Sequence, residues 1–195
     1  MLLFIAASII RADEFPPKGF TEVRREKSPQ EDFQMIYLRK DPDEIMTDSQ
    51  IWLQASKPSG IKTQLLFKYS DDARCVVSDD EQFIAVNKHI MAGFNDLTIF
   101  VRMEDGRYEK EEVDILNASI KMMAKQLKLK KLNSVRDFDS IRCSALAWLE
   151  DGLVLCDLGG NYGHSYFDWY FIFDTKKNEF LLDLSKINRR FQLAK

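Results

Sequence analysis

The only two histidines of the chain, His89 and His164, stand in two stretches of similar make-up. The first runs Asn87-Lys88-His89-Ile90-Met91-Ala92-Gly93-Phe94-Asn95-Asp96; the second runs Asp157-Leu158-Gly159-Gly160-Asn161-Tyr162-Gly163-His164-Ser165-Tyr166. Both read as long loops that mix glycine, histidine and carboxylate. Imidazole with carboxylate is a donor set for zinc and similar ions. A shared pocket of His89, His164, Asp96 and Asp157 is thus the one place where a metal-dependent hydrolase chemistry could be built. The ligand rhythm is missing, however: there is no His-x-x-x-His spacing and no cysteine pair at ligand spacing. The sequence therefore predicts no metal, no cofactor and no enzymatic activity, and reads these polar groups as satisfying turns.

Aromatic residues offer a second chemistry. Tyr162, Tyr166, Trp169 and Tyr170 lie near Asn161 and Asp168. Aromatic faces supply contact area and polar groups fix orientation, so this set suits a sugar or a peptide. Trp169 sits mid-strand and reads as core instead. The expected ligand-binding residues are Asn161, Tyr162, His164 and Tyr166, joined by His89 and Asn95 from the first stretch. Other candidates fall away. Gly159 to Gly163 lacks the Lys-Ser/Thr of a phosphate loop; its glycines are read as permitting positive φ in a tight connection. His164 and Ser165 are neighbours pointing opposite ways in extended chain, not a base and its nucleophile. Asp79-Asp80-Glu81 has no calcium-loop rhythm and reads as a solvated turn.

The elements that must position these residues form a repeat. One copy runs from Arg74-Cys75 to about Tyr108, the other from Arg142-Cys143 to about Phe180. Each has Arg-Cys, an acidic turn, an apolar strand (Phe83 to Val86; Leu153 to Cys156), the Gly- and His-containing stretch, a second apolar strand and a hairpin turn. One such unit cannot bury its own faces, so neighbours must stack, and equivalent loops then emerge on one face. Phe33 to Leu38, Gln50 to Gln54 and Leu65 to Tyr69 read as further strands. In the second copy Phe167, Trp169, Phe171 and Phe173 alternate with Tyr166, Tyr170 and Ile172, which places that strand between layers. Between the copies, Val113, Leu116, Ile120, Met123 and Leu127 trace one face of a helix from Glu111 to about Leu129. Acidic residues stand at its start and lysines at its end, as the helix dipole favours. Lys121, Lys125 and Lys128 read as its solvated face.

Ser78-Asp79-Asp80-Glu81-Gln82-Phe83-Ile84-Ala85-Val86 resembles the Ser-Pro-Asp-Gly-x-aromatic-aliphatic-Ala signature of prolyl oligopeptidase-type and related periplasmic propeller blades. It departs at Asp79 and Glu81, where that family has Pro and Gly. The second copy keeps Asp151-Gly152, and Ile51-Trp52-Leu53 looks like the outer strand of a preceding blade. The resemblance covers about residues 50–110 and 140–182. It implies a mainly β fold of repeated antiparallel units, a small or incomplete propeller with one inserted helix; a β-sandwich with a packed helix is the alternative. Nothing of the family's catalytic domain is present in the sequence.

Composition narrows the partners. With 195 residues, 45% of them hydrophobic, the chain suits one folded domain. Its net charge of −3 argues against a nucleic-acid surface. Leu2 to Ile10 is an apolar run followed by Arg11-Ala12, similar to a truncated signal peptide over residues 1–12; it is too short to cross a bilayer. Residues 13–30 hold three of the five prolines and read as a polar lead-in to a single domain over 31–195. Three cysteines do not make a disulfide framework. Cys143 and Cys156 flank one turn without facing each other, and read as buried thiols. The sequence thus predicts a secreted or periplasmic, non-catalytic binding domain with a protein or glycan partner at the loop face, with a purely structural domain as a further alternative.

Overall fold

Ser28 and Ser78 turn the chain by the same set of bonds. Each serine Oγ donates to the carbonyl of a phenylalanine five residues on and accepts that residue's N–H: Phe33 at 2.9 and 3.1 Å, Phe83 at 3.3 and 3.0 Å. In each turn the N–H of a glutamate, Glu31 or Glu81, donates to the serine carbonyl. Both glutamates occupy the left-handed region, at φ 57° and 54°, where Gly152 (φ 76°) stands in the third turn. Ser28-Pro29-Gln30-Glu31-Asp32-Phe33 is therefore a further copy of the repeat, inside and just after what the sequence presents as a lead-in.

The computed structural model describes residues 15–56, 60–91, 93–126, 128, 132, 134–163 and 165–181. Three four-stranded antiparallel meanders follow one another. The first is β1 (Thr21–Lys27), β2 (Phe33–Arg39), β3 (Ser49–Ala55) and β4 (Gln64–Tyr69). The second is β5 (Ala73–Val77), β6 (Phe83–Met91), β7 (Phe94–Arg102) and β8 (Tyr108–Lys110). The third is β9 (Ser140–Trp148), β10 (Leu153–Tyr162), β11 (Ser165–Asp174) and β12 (Glu179–Leu181). The first meander is a sheet of its own. A short parallel seam, Phe94 with Ile141 and Asn95 with Arg142, joins the other two into one sheet of eight. The fold is mainly β, as the sequence predicts, and the meanders do not close into a propeller among the described residues.

The helix between the copies is shorter than its apolar period suggests. α1 spans Ile115–Gln126, and it begins where Asp114 caps it: Asp114 Oδ1 accepts the N–H of Asn117 at 3.0 Å. Ile115, Leu116, Ile120 and Met123 face the core; Leu127 lies outside the described residues.

Packing follows the order of the meanders. Phe33, Tyr37, Ile51 and Leu53 of the first meet Ile84, Val86 and Phe100 of the second. On its other face the second meander, through Ala85, Leu97 and Ile99, shares a core with α1 and with Cys143, Cys156, Trp169, Phe171 and Phe173 of the third. The Phe167 to Phe173 alternation thus buries one face completely, while Tyr170 and Ile172 on the other are half-buried rather than enclosed. All three cysteines are free, and Cys156 lies opposite Ala145, not Cys143.

The turns also lock neighbours together. Glu81 is wholly buried; its Oε1 accepts the backbone N–H of Gln30 from the preceding turn at 2.8 Å, and the Tyr108 hydroxyl donates to its carbonyl at 2.5 Å. The departure from Gly at this position is what makes that bond possible. In the third turn a Cβ on Gly152 would stand 2.9 Å from the Phe83 ring and 2.8 Å from Thr175 Oγ1, so glycine is required there by contact as well as by φ.

Candidate functional site

The two stretches expected to be long loops are mostly strand. β6 runs to Met91 and β7 starts at Phe94; β10 runs to Tyr162 and β11 starts at Ser165. The glycines misled the reading. Gly159 and Gly160 lie within β10, and of the second stretch's glycines only Gly163 has a positive φ, 58°. A Cβ on Gly160 would lie 2.2 Å from the Ser140 carbonyl oxygen. These glycines mark close approach rather than a bend.

Register then decides which of the expected residues meet. Asn161 pairs with Tyr166 and Ser140, and Asn161 Nδ2 donates to Ser140 Oγ at 3.0 Å. Tyr162 and Tyr166 are exposed, at 39% and 56%. Trp169 is 1% exposed on the face opposite Tyr166, stacked on Phe171, and takes no part in any surface platform; Tyr162, paired with Ser165, shares the Trp169 face and meets the Phe138 ring edge to face at 6.1 Å. His89 pairs with Asn95, and Asn95 with Arg142 across the seam, so a line of paired residues links the second meander to the third. His89 itself turns away from that line. Its Nδ1 is in close contact with Asp71 Oδ2, and the His89 backbone N–H donates to the Asp72 carbonyl at 2.9 Å. The histidine thereby ties the end of β6 to the turn before β5. His164 lies outside the described residues.

No group of three or more His, Cys, Asp or Glu able to hold a metal occurs among the described residues. Asp96 lines a separate cleft of about 380 Å³ with Lys110, Glu112, Asp114 and Asn117, apart from the residues around Asp157. Burial raises its carboxyl above the ordinary carboxylate range.

The strongest arrangement centres on Arg142, which the sequence reading used only to mark the repeat. It lies on the outer face of the third meander, the face turned away from α1 and the second meander. Arg142 Nη2 donates to Asp168 Oδ1 and to the Tyr166 hydroxyl, both at 2.7 Å, and Nε donates to Asp157 Oδ2 at 3.3 Å. Tyr166 closes the set by donating to Asp168 Oδ1 at 2.8 Å. Gly159 lies beneath this bridge: a Cβ there would be 2.5 Å from Asp168 Oδ1 and 2.8 Å from Arg142 Nη2. The signal was present in the alternation of β9 to β11, because Arg142, Asp157 and Asp168 all take the non-core parity of their strands.

The electrostatics are uneven across the cluster. Asp157 is buried, and its Oδ1 has no hydrogen-bond partner among the described residues. Burial holds its carboxyl above the usual range, and the Arg142 guanidinium draws it partly back. Arg142 keeps about two fifths of its side chain exposed, and Asp168 a quarter. The result is a rigid, solvent-facing array of donors and acceptors beside the exposed Tyr166 ring. Such an array can recognise; it holds no nucleophile aligned with a base.

No protein-family model matches the chain, and neither a curated protein nor a solved structure is significantly similar to it.

Proposed function

We propose that the chain is a non-catalytic binding domain whose ligand face is the outer surface of the third meander. One observation carries this reading. Arg142 is held by Asp157, Asp168 and Tyr166 in the open, next to exposed Asn161. A network spanning three strands restrains these side chains before any ligand arrives, which lowers the ordering cost of binding. Tyr and Arg are also the side chains that contribute most at recognition surfaces. The residues expected from the sequence do not share one loop face. Asn161 flanks the network and Tyr166 belongs to it, while Tyr162 takes the opposite face of β10 against Phe138 and His89 belongs to a neighbouring turn contact.

Two parts of the sequence reading stand beside this as proposals. The kinship with Ser-Pro-Asp-Gly blades gains support from Ser28-Pro29, which keeps the Pro that Asp79 replaces. Export rests on the apolar run from Leu2 to Ile10; the N-terminal residue of the mature protein, read by Edman sequencing, decides it, with Asp13 expected.

Thermal unfolding against saccharides, peptides and divalent metals tests the function. A ligand at about 100 times its Kd adds about 2.7 kcal/mol to stability and raises Tm by several degrees. The shift is expected to vanish in Arg142→Ala. A shift that survives Arg142→Ala, or a metal shift lost in His89→Ala, moves the function away from this face.

A further inference from the structure

We infer that the ligand of the Arg142 face is a neutral saccharide, an inference that rests on the binding reading above. The charge arrangement excludes the alternatives. One guanidinium stands among two carboxylates, Asp157 and Asp168, and both are already bonded to it. An incoming anion would meet two carboxylates, and an incoming cation would meet Arg142 with its counter-charges already engaged. A neutral polyhydroxyl ligand suffers neither repulsion.

The free hydrogen-bonding capacity has the same character. Arg142 uses Nε and Nη2 in its bonds to the described residues, which leaves Nη1 to donate. Asn161 Nδ2 is engaged with Ser140, which leaves its Oδ1 to accept. A vicinal diol offers both a donor and an acceptor on adjacent carbons, the complement of this free donor and free acceptor. Buried Asp157 Oδ1 is an independent sign. It is an acceptor with no partner among the described residues, on a side chain only 10% exposed, in a ladder row with Ser144 and Tyr170. A buried acceptor left open is costly, and a hydroxyl reaching that row would satisfy it. Tyr166, 56% exposed and oriented by its own hydroxyl bonds, supplies the ring on which the C–H face of a sugar stacks.

The test uses the full chain on an array of short neutral hexose oligomers, with sialylated and sulfated forms as anionic controls and a peptide library alongside. Neutral oligomers are expected to bind in preference to the anionic forms. Tyr166→Ala is expected to weaken that binding at least about tenfold, equivalent to about 1.4 kcal/mol. Arg142→Lys, which keeps the charge but loses the planar fork, is expected to weaken it similarly, and Tyr166→Phe less. The exposed helix variant Lys125→Ala, which should fold normally, is expected to change nothing. Stronger binding to the sulfated or sialylated forms overturns the inference, as does neutral-oligomer binding that ignores Tyr166→Ala. A peptide bound in a Tyr166-dependent way, with no saccharide bound, overturns the saccharide while the binding face stands. No Tyr166-dependent binding to either array overturns both.

Discussion

The first and third meanders end the stack with opposite kinds of surface. On the outer face of the first, Ile36, Leu38 and Trp52 are buried beneath Phe15, Phe20 and Leu65, with the Phe15 and Trp52 rings edge to face at 5.5 Å. On the outer face of the third, the corresponding surface carries Arg142, Asp168 and the exposed Tyr166. Terminal units of a stacked array must either be covered or be made polar. This chain does one at each end. The covered end adds to stability, and the polar end is the one proposed to bind a ligand.

That contrast can be broken most severely at Trp52. It is 3% exposed and buried from both sides, so Trp52→Ala should cost about 3–5 kcal/mol and lower Tm by about 10 °C, read by thermal or urea unfolding. A loss under 1 kcal/mol would mean that the N-terminal cover is not part of the folded core. A smaller effect is expected at the other end from Gly159→Ala. Its Cβ would wedge between Asp168 and Arg142, costing about 1–3 kcal/mol and abolishing ligand binding together. If stability falls and binding persists, the Arg142 bridge is not the recognition element.

Asp157 sharpens the comparison through pH. Its folded-state pKa is raised, so the folded chain holds this proton more tightly than the unfolded chain does. The stability it contributes is full below the unfolded value of about 3.9 and is lost as pH rises through the folded value. Asp157→Asn removes that loss. The variant should therefore gain on the wild type as pH rises above the unfolded value of about 3.9, in parallel urea titrations. A wild type that gains on Asp157→Asn as pH rises would show that Arg142 more than offsets the burial.

Much of the architecture could be read from the chain. The alternation from Phe167 to Phe173 correctly gave a buried face, and the Phe33, Gln50 and Leu65 strands lie where their patterns put them. The first repeat unit escaped because Thr21 to Lys27 is polar and lies beside three prolines; β1 is an outer strand held chiefly by backbone pairing with β2, which leaves no apolar pattern to see. Gly159-Gly160 looked like a loop because glycine's two uses, bending and close approach, are identical in sequence. Asn161 and Tyr166 of the candidate face stood out in the sequence as amide and aromatic groups, whereas Tyr162 takes the core parity of β10 against Phe138. For Arg142 the non-core parity was readable but its partners were not, since they meet through three strands whose register depends on a bulge between Leu155 and Cys156.

The most direct measurement pairs one variant from each end. Tm and saccharide affinity are determined for Phe15→Ala and Tyr166→Ala against the wild type. Phe15→Ala should lose about 1 kcal/mol of stability and keep its affinity, because the half-buried ring only covers Trp52. Tyr166→Ala should keep its Tm to within a degree or two and lose affinity about tenfold, because its ring stands in solvent. Affinity lost in Phe15→Ala and kept in Tyr166→Ala would contradict the assignment of cover to one end and recognition to the other.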